Sequence, residues 1–381
     1  MKITIKIVFF LLICSVPASC NLSQNHPSVK AGATVNKPTE EVLVYRGTSD
    51  SSAAIGLSEK MFIVADDENN VLRVYRIKGA GLPVYRYDLT DFLNIYPEHP
   101  EADIEGATMI GDTIYWISSH GRNKDGKIRP NRYRFFATSV KVENEKVTIR
   151  PVGMPCRSLI QSLLETKYAQ QTGLDKATRF DEGNLTKTER KLLAPKRAGL
   201  NIEGLCASAD GKTIYIGFRN PRPFDRSSPS IKAIVIALNN PREVIERRSA
   251  PKFGEPMLWN FGGLGIRSME YSDFHKAFFI IAGPYNEGLR FALYRWSGEQ
   301  EREPVLVREL SRDISNFKPE ALICFKNSDK FLLLSDDGSI AIKVSSPSEC
   351  EEGELNADGT CLNKYLTNPN KKTFRGIWLT P

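Results

Sequence analysis

Three glutamates stand in one recurring frame: Asp103-Ile104-Glu105-Gly106-Ala107, Asn201-Ile202-Glu203-Gly204-Leu205 and Lys318-Pro319-Glu320-Ala321-Leu322. Each precedes a small or apolar pair, and an apolar strand follows about ten residues later, the mark of a repeated unit. Carboxylates carried on separate units are hard oxygen ligands, so Glu105, Glu203 and Glu320 would suit calcium or magnesium. Asp66 and Asp336, each just after an apolar strand, extend that candidate set. His120 is a candidate general acid or base, with Glu203 beside it in that role. Arg122, Arg219 and Arg267, with Asn220, would hold an anionic group, arginine offering two parallel hydrogen bonds to carboxylate or phosphate. The chemistry implied is calcium-assisted hydrolysis of a phosphate or carboxylic ester. The alternative is recognition of an acidic glycan, peptide or small molecule without turnover.

Each residue type also has a purely structural use. Repeated glutamates can lock neighbouring sheets together through arginine or backbone hydrogen bonds. The runs Asp66-Asp67-Glu68-Asn69-Asn70 and Asp336-Asp337-Gly338 also read as turns between strands, and neither has EF-hand spacing. His120 stands out because Gly121 and Arg122 follow it on a loop. His26, His99 and His275 fall in a tether, a proline-flanked loop and a turn. Gly262-Gly263-Leu264-Gly265 lacks the following helix that a dinucleotide site needs, and the chain has no Gly-x-Ser-x-Gly elbow. No Cys/His cluster suggests zinc.

Bringing distant acids together requires an all-β fold whose units repeat about an axis. Period-2 apolar strands bounded by turn residues give five unit starts, near Ser52, Asp103, Asn201, Leu264 and Lys318. The strands of the first unit are expected at 52–57, 60–65 and 71–77. Those of the last are expected from Lys318, at 330–334 and at 340–344. The interval from Glu105 to Glu203 is nearly twice that from Ser268 to Glu320. The helical spacing of Ser158–Tyr168 fills that gap, so a helical insertion is expected near 155–198. The expectation is a β-propeller of five to six blades over 40–381, closed by pairing of 41–46 with 374–379. A sandwich or jelly roll would not require the same turn–strand unit at near-constant spacing.

The N-terminus reads as an export leader. Lys2 and Lys6 precede the apolar run Ile7–Ile13, and small residues lead to Cys20. Cys20 is either lipidated as a new N-terminus or lost in plain secretion after Ala18, so a signal over 1–20 precedes a tether over 21–39. The apolar run is too short to span a bilayer, leaving a lipid on Cys20 as the membrane contact. Export leads to a periplasmic, envelope-anchored or secreted protein, in which Cys350 and Cys361 would close an acidic loop as a disulfide. Cys206 and Cys324 lie in apolar strand contexts and read as buried thiols, and Cys156 is left over. The chain of 381 residues carries a formal net charge of +7, with its basic residues scattered among 45 acids. That pattern excludes a nucleic-acid stripe. A monomer acting on a small anionic ligand is the expectation.

The segments Trp116-Ile117-Ser118-Ser119-His120-Gly121-Arg122-Asn123, Gly217-Phe218-Arg219-Asn220-Pro221, Gly262–Arg267 and Leu334-Ser335-Asp336-Asp337-Gly338, with Asn201–Leu205, resemble a family of bacterial exported propellers of unknown function. The resemblance covers roughly 45–378 and extends distantly to phytase-like esterase propellers. It implies the fold and export, and it carries no assigned chemistry. The family pattern places an acid directly after the fourth-unit arginine, where this chain has Ser268. Glu270, two residues on, shares its strand parity.

Overall fold

The computed structural model describes residues 41–225, 230–310 and 316–381. The leader over 1–20, Cys20, His26 and the tether over 21–39 lie outside the described residues. Among those described, the strands form five four-stranded antiparallel sheets and two short ribbons. Each sheet is one blade of a five-bladed propeller.

The blades follow one another along the chain. Blade 1 comprises Ala53–Ser58, Met61–Ala65, Val71–Arg76 and Tyr85–Asp88, and blade 2 Ile104–Ile110, Thr113–Ser118, Phe135–Glu143 and Lys146–Cys156. Blade 3 comprises Asn201–Ala207, Ile214–Asn220, Ala233–Leu238 and Met257–Trp259, and blade 4 Gly265–Ser272, Ala277–Gly283, Ala292–Trp296 and Val305–Glu309. Blade 5 takes Pro319–Cys324, Phe331–Ser335 and Thr373–Leu379, then borrows Val42–Arg46 from the other end of the chain as its outer strand. That pairing, Val42 opposite Ile377 through Arg46 opposite Thr373, closes the ring as the sequence suggested.

The blade count falls within the expected five to six, and one strand expectation changes. The ring has five blades, and the strand expected at 340–344 is not the third strand of blade 5. Ala341–Lys343 instead pairs with Thr360–Leu362 in a separate ribbon beside the Cys350–Cys361 disulfide. Thr373–Leu379 takes the blade position because its apolar residues match Phe331–Leu334 in register, and Arg375 makes two 2.8 Å bonds to the Asp337 carboxylate. The helical insertion is present as Leu159–Leu164, Tyr168–Thr172, Leu174–Thr178 and Lys187–Leu192.

Packing explains why the ring holds. The five large apolar clusters lie one at each junction between blades. The cluster between blades 2 and 3 also receives Leu159, Ile160, Leu163 and Leu174, which docks the insertion on the ring. Burying side chains of this size contributes about 1.5–3 kcal/mol each before the entropy cost of ordering them.

Four of the five inner strands share one irregularity that positions the site. Pairing with the second strand slips between Ile104 and Gly106, Ile202 and Gly204, Ile266 and Ser268, and Pro319 and Ala321. Each slip leaves one extra residue, a β-bulge, and the four extra residues are Glu105, Glu203, Arg267 and Glu320. A bulge takes its residue out of the pleat and re-aims the side chain. The small residue after it is a packing requirement. A Cβ on Gly204 would stand 2.7 Å from Ile266 Cγ2, and one on Gly106 would stand 2.9 Å from Ile117 Cγ2. The Glu-small frame in the sequence is therefore the signature of a bulge next to a tight blade junction. In blade 4 the bulge is held by Arg267 itself, one residue before Ser268.

Candidate functional site

The starts of the inner strands and the loops after the second strands meet at one mouth of the channel, around a cavity of about 560 Å³. Glu105, Glu203, Glu320, Arg122, Arg219, Arg267 and Asp336 all line it. Separate stretches of sequence thus converge on one opening. Asp50, Asp67, Asp103 and Asn201 line it as well, and sequence reasoning did not single them out. Asp103 and Asn201 carried a usable signal, since each stands two residues before a bulge glutamate.

At the centre runs a chain of buried ion pairs. Glu203 Oε1 accepts hydrogen bonds from Asn201 Nδ2 at 2.7 Å and Arg219 Nη1 at 2.6 Å. Its Oε2 lies 3.1 Å from Arg267 Nε, and Arg267 Nη2 pairs with Glu320 Oε1. Arg219 is steadied further by the carbonyls of Pro284 at 3.2 Å and Asn286 at 3.4 Å. Arg267 is 4% exposed, and its Nη1 has no hydrogen-bond partner among the described residues. Burial, and then the nearby Arg219 charge, hold the Arg267 guanidinium below its ordinary pKa. A buried donor without an acceptor costs about 1–3 kcal/mol, more when charged, so this cavity favours an incoming anion.

Two carboxylate groups flank that chain. Oxygens of Asp50, Glu320 and Asp336 lie within 4.8 Å of one another, and so do oxygens of Asp67, Asp103 and Glu105. The three glutamates expected to share one ion are therefore divided: Glu105 and Glu320 fall in different groups and Glu203 in neither. Burial comes first among the causes that raise Asp50, Asp67, Asp103 and Glu105. Neighbouring carboxylates add to it: Asp336 and Asp67 act on Asp50, and Glu203 and Asp103 on Glu105. Asp103 has a close cation in Arg132 Nη1 at 3.1 Å, besides the Ser119 hydroxyl, as Glu320 has in Arg267.

Four expected site residues take other roles. Asp66 does not line the cavity. It accepts from the Glu68 amide at 2.7 Å and from the Thr48 hydroxyl, shaping the turn that presents Asp67 instead. Asn220 also stands outside the lining. Its Nδ2 binds the carbonyls of Pro195, Arg197 and Gly199, fixing the edge of the insertion that brings Lys196 and Arg197 to the rim. Arg122 reaches the cavity, yet its guanidinium binds the carbonyls of Gly126, Thr178 and Arg179. Asn220 and Arg122 position the basic rim.

His120 is the fourth. It sits in a left-handed turn with φ 53°, its Nδ1 is 2.8 Å from the Ser118 carbonyl, and its ring packs edge-on against Tyr133. It is 1% exposed and does not line the cavity, so it is not placed for proton transfer there. Burial lowers its pKa from 6.5 to about 4. Between those values the unfolded chain takes up a proton that the folded chain refuses, so acid favours unfolding. Relative to His120→Asn, which keeps a residue tolerant of positive φ, native stability should fall across this window by roughly 3 kcal/mol at most. Urea unfolding at pH 7, 5.5 and 4.5 reads that difference. A gap that stays constant with pH would mean the ring is protonated in place.

The architecture and site define a five-bladed β-propeller with a charged pocket at one mouth. Residues 50–318 match the family described as "Protein of unknown function (DUF3616)", and the chain belongs to that family. No curated protein matches it. Among solved structures, a protein described as an oxidoreductase (glucose dehydrogenase) from Thermus thermophilus is 12% identical, with 89% of this chain and 100% of that one covered and a TM-score of 0.38. A streptogramin B lyase is 9% identical, with 89% and 98% covered and a TM-score of 0.35. At these values neither bears on activity.

Proposed function

We propose that the charged mouth binds a small anionic substrate together with a divalent cation, calcium by preference, and assists hydrolysis of a phosphate or carboxylic ester. The observation that carries this reading is the buried, unpartnered Arg267 Nη1 in the same cavity as two carboxylate groups. Arg267, Arg219 and the rim lysines Lys196 and Lys318 suit the anion. Asp67, Asp103 and Glu105, or Asp50, Glu320 and Asp336, suit the cation, which would relieve the repulsion among them and polarise an ester oxygen. The acid–base partner is then a carboxyl of the cavity, because the His120 ring does not reach it. The distant likeness to phytase-like esterase propellers in the sequence is in keeping with this chemistry.

One observation favours a second reading, a non-enzymatic receptor for an acidic glycan, peptide or small molecule. Both oxygens of Glu203 are engaged by arginines, as in a rigid recognition site rather than a working base. Hydrolysis of p-nitrophenyl phosphate and p-nitrophenyl acetate, with calcium and then with EDTA, separates the two. The hydrolase predicts turnover that EDTA abolishes and that Glu105→Gln lowers about 10²-fold or more in kcat/KM. Saturable, calcium-dependent phosphate binding with no turnover of either ester would sink the hydrolase and favour the receptor.

The Cys350–Cys361 disulfide supports export to an oxidising compartment, with the leader over 1–20 as the signal and Cys20 either a lipid anchor or lost on secretion. No helix among the described residues is long and apolar enough to cross a membrane.

A further inference from the structure

The opposite end of the channel holds a second cavity, of about 620 Å³, within the range of small-molecule sites. Its walls are the turns between first and second strands of all five blades, including Leu57–Glu59, Ile110–Gly111 and Phe325–Asn327. Glu270 lies in it. On the inner strand of blade 4, Met269 and Tyr271 pack into the apolar junction between blades 3 and 4, so strand alternation turns Glu270 to the channel. The Glu270 carboxylate makes no hydrogen bond or ion pair with any described residue. Near it are Cys206 and Cys324, and apolar residues such as Ile55 and Met109 line the same cavity.

We propose that this mouth is a binding site for a small organic cation, a protonated amine on an apolar body, with Glu270 as its counter-charge. Two features of the cavity select that class. A lone acid among apolar walls is matched by one positive charge carried on hydrocarbon. The rim repeats the sign, with Glu59, Asp210 and Asp273 against Lys326. Of these, Asp210 and Asp273 have exposed lysines 3.5 Å away and Glu59 accepts from Asn327, whereas Glu270 has no such relief. A metal ion is a poor fit, because Glu270, Cys206 and Cys324 do not bring ligand atoms within 4.8 Å of one another.

Burial raises the Glu270 carboxyl well above its usual range, and burial also raises the thiols of Cys206 and Cys324, with Glu270 the next cause. With no cation present, that upward shift favours the proton-bound form of the carboxyl. An ammonium ligand drives that proton off, so binding releases it to the buffer.

Calorimetric titration with n-hexylammonium, run in two buffers of different ionisation enthalpy, tests the site. The expected result is saturable one-to-one binding with net proton release. In Glu270→Gln, which preserves shape and removes the charge, affinity should fall at least about tenfold, the size expected for losing a charged hydrogen bond. Glu105→Gln, at the other mouth, should bind n-hexylammonium as the native chain does. No saturable binding, equal binding by Glu270→Gln, or equally tight binding of neutral n-hexanol would each overturn the proposal. None of these outcomes depends on hydrolysis at the arginine-lined mouth.

Discussion

Replacing Arg267 with methionine will lower the unfolding free energy by about 3–5 kcal/mol, the range for removing one partner of a buried ion pair. The loss is large because one guanidinium serves two buried acids, Glu320 and, together with Arg219, Glu203. Glu203 Oε2 lies 3.1 Å from Arg267 Nε, and Glu320 Oε1 pairs with Nη2, with Glu203 4% and Glu320 8% exposed. Without that charge both carboxylates stay buried beside further acids. Adding Glu320→Gln to Arg267→Met should recover part of the loss, since the carboxylate left without its paired guanidinium goes. Arg267→Lys should recover less than full stability, because an ammonium cannot offer the planar fork that reaches two acids at once. Guanidinium unfolding of the four proteins measures all three effects. A methionine variant within about 1 kcal/mol of the native chain would show that the blades hold without this chain of pairs.

Calcium should stabilise the native chain by about 2.7 kcal/mol when its free concentration is a hundred times its dissociation constant. Glu105→Gln should cross over. In EDTA it should be more stable than the native chain, and in calcium it should gain less. The sign follows from the carboxyl pKa, which burial and then Glu203 push well above the usual value. A group raised in this way penalises the folded state when ionised, and the penalty fades as pH falls through the folded pKa. Glutamine removes the penalty and one cation ligand together. Melting temperatures of both proteins in EDTA and in calcium give the four values required. Equal calcium increments would exclude Glu105 from any ion site, and no increment in either would remove calcium from the mouth altogether.

Much of the ring was written in local pattern. Strand alternation, turn residues and near-constant unit spacing located the inner strands of all five blades, and helical spacing located the insertion. The fourth strands carried little signal, because strands such as Val305–Glu309 are largely exposed on both faces. The third strand of blade 5 is not legible at 340–344 because the segment that fills the position, Thr373–Leu379, lies beyond a disulfide-closed excursion.

By itself the chain determined a repeated β-rich ring, an insertion after its second unit and a set of acids and arginines that share a frame. Local backbone preference and side-chain periodicity suffice for that, because they act over a few neighbouring residues. Only the tertiary structure decided which members of that set reach the cavity. One residue of slip at a bulge, or one step along a turn, selects Arg267 over Ser268 and Asp67 over Asp66. Whether a carboxylate ends in an ion pair, as Glu203 does, or in an uncompensated group, as Glu105 does, depends on charges contributed by other blades. Those distances are set by closing the ring, so no local stretch of sequence encodes them.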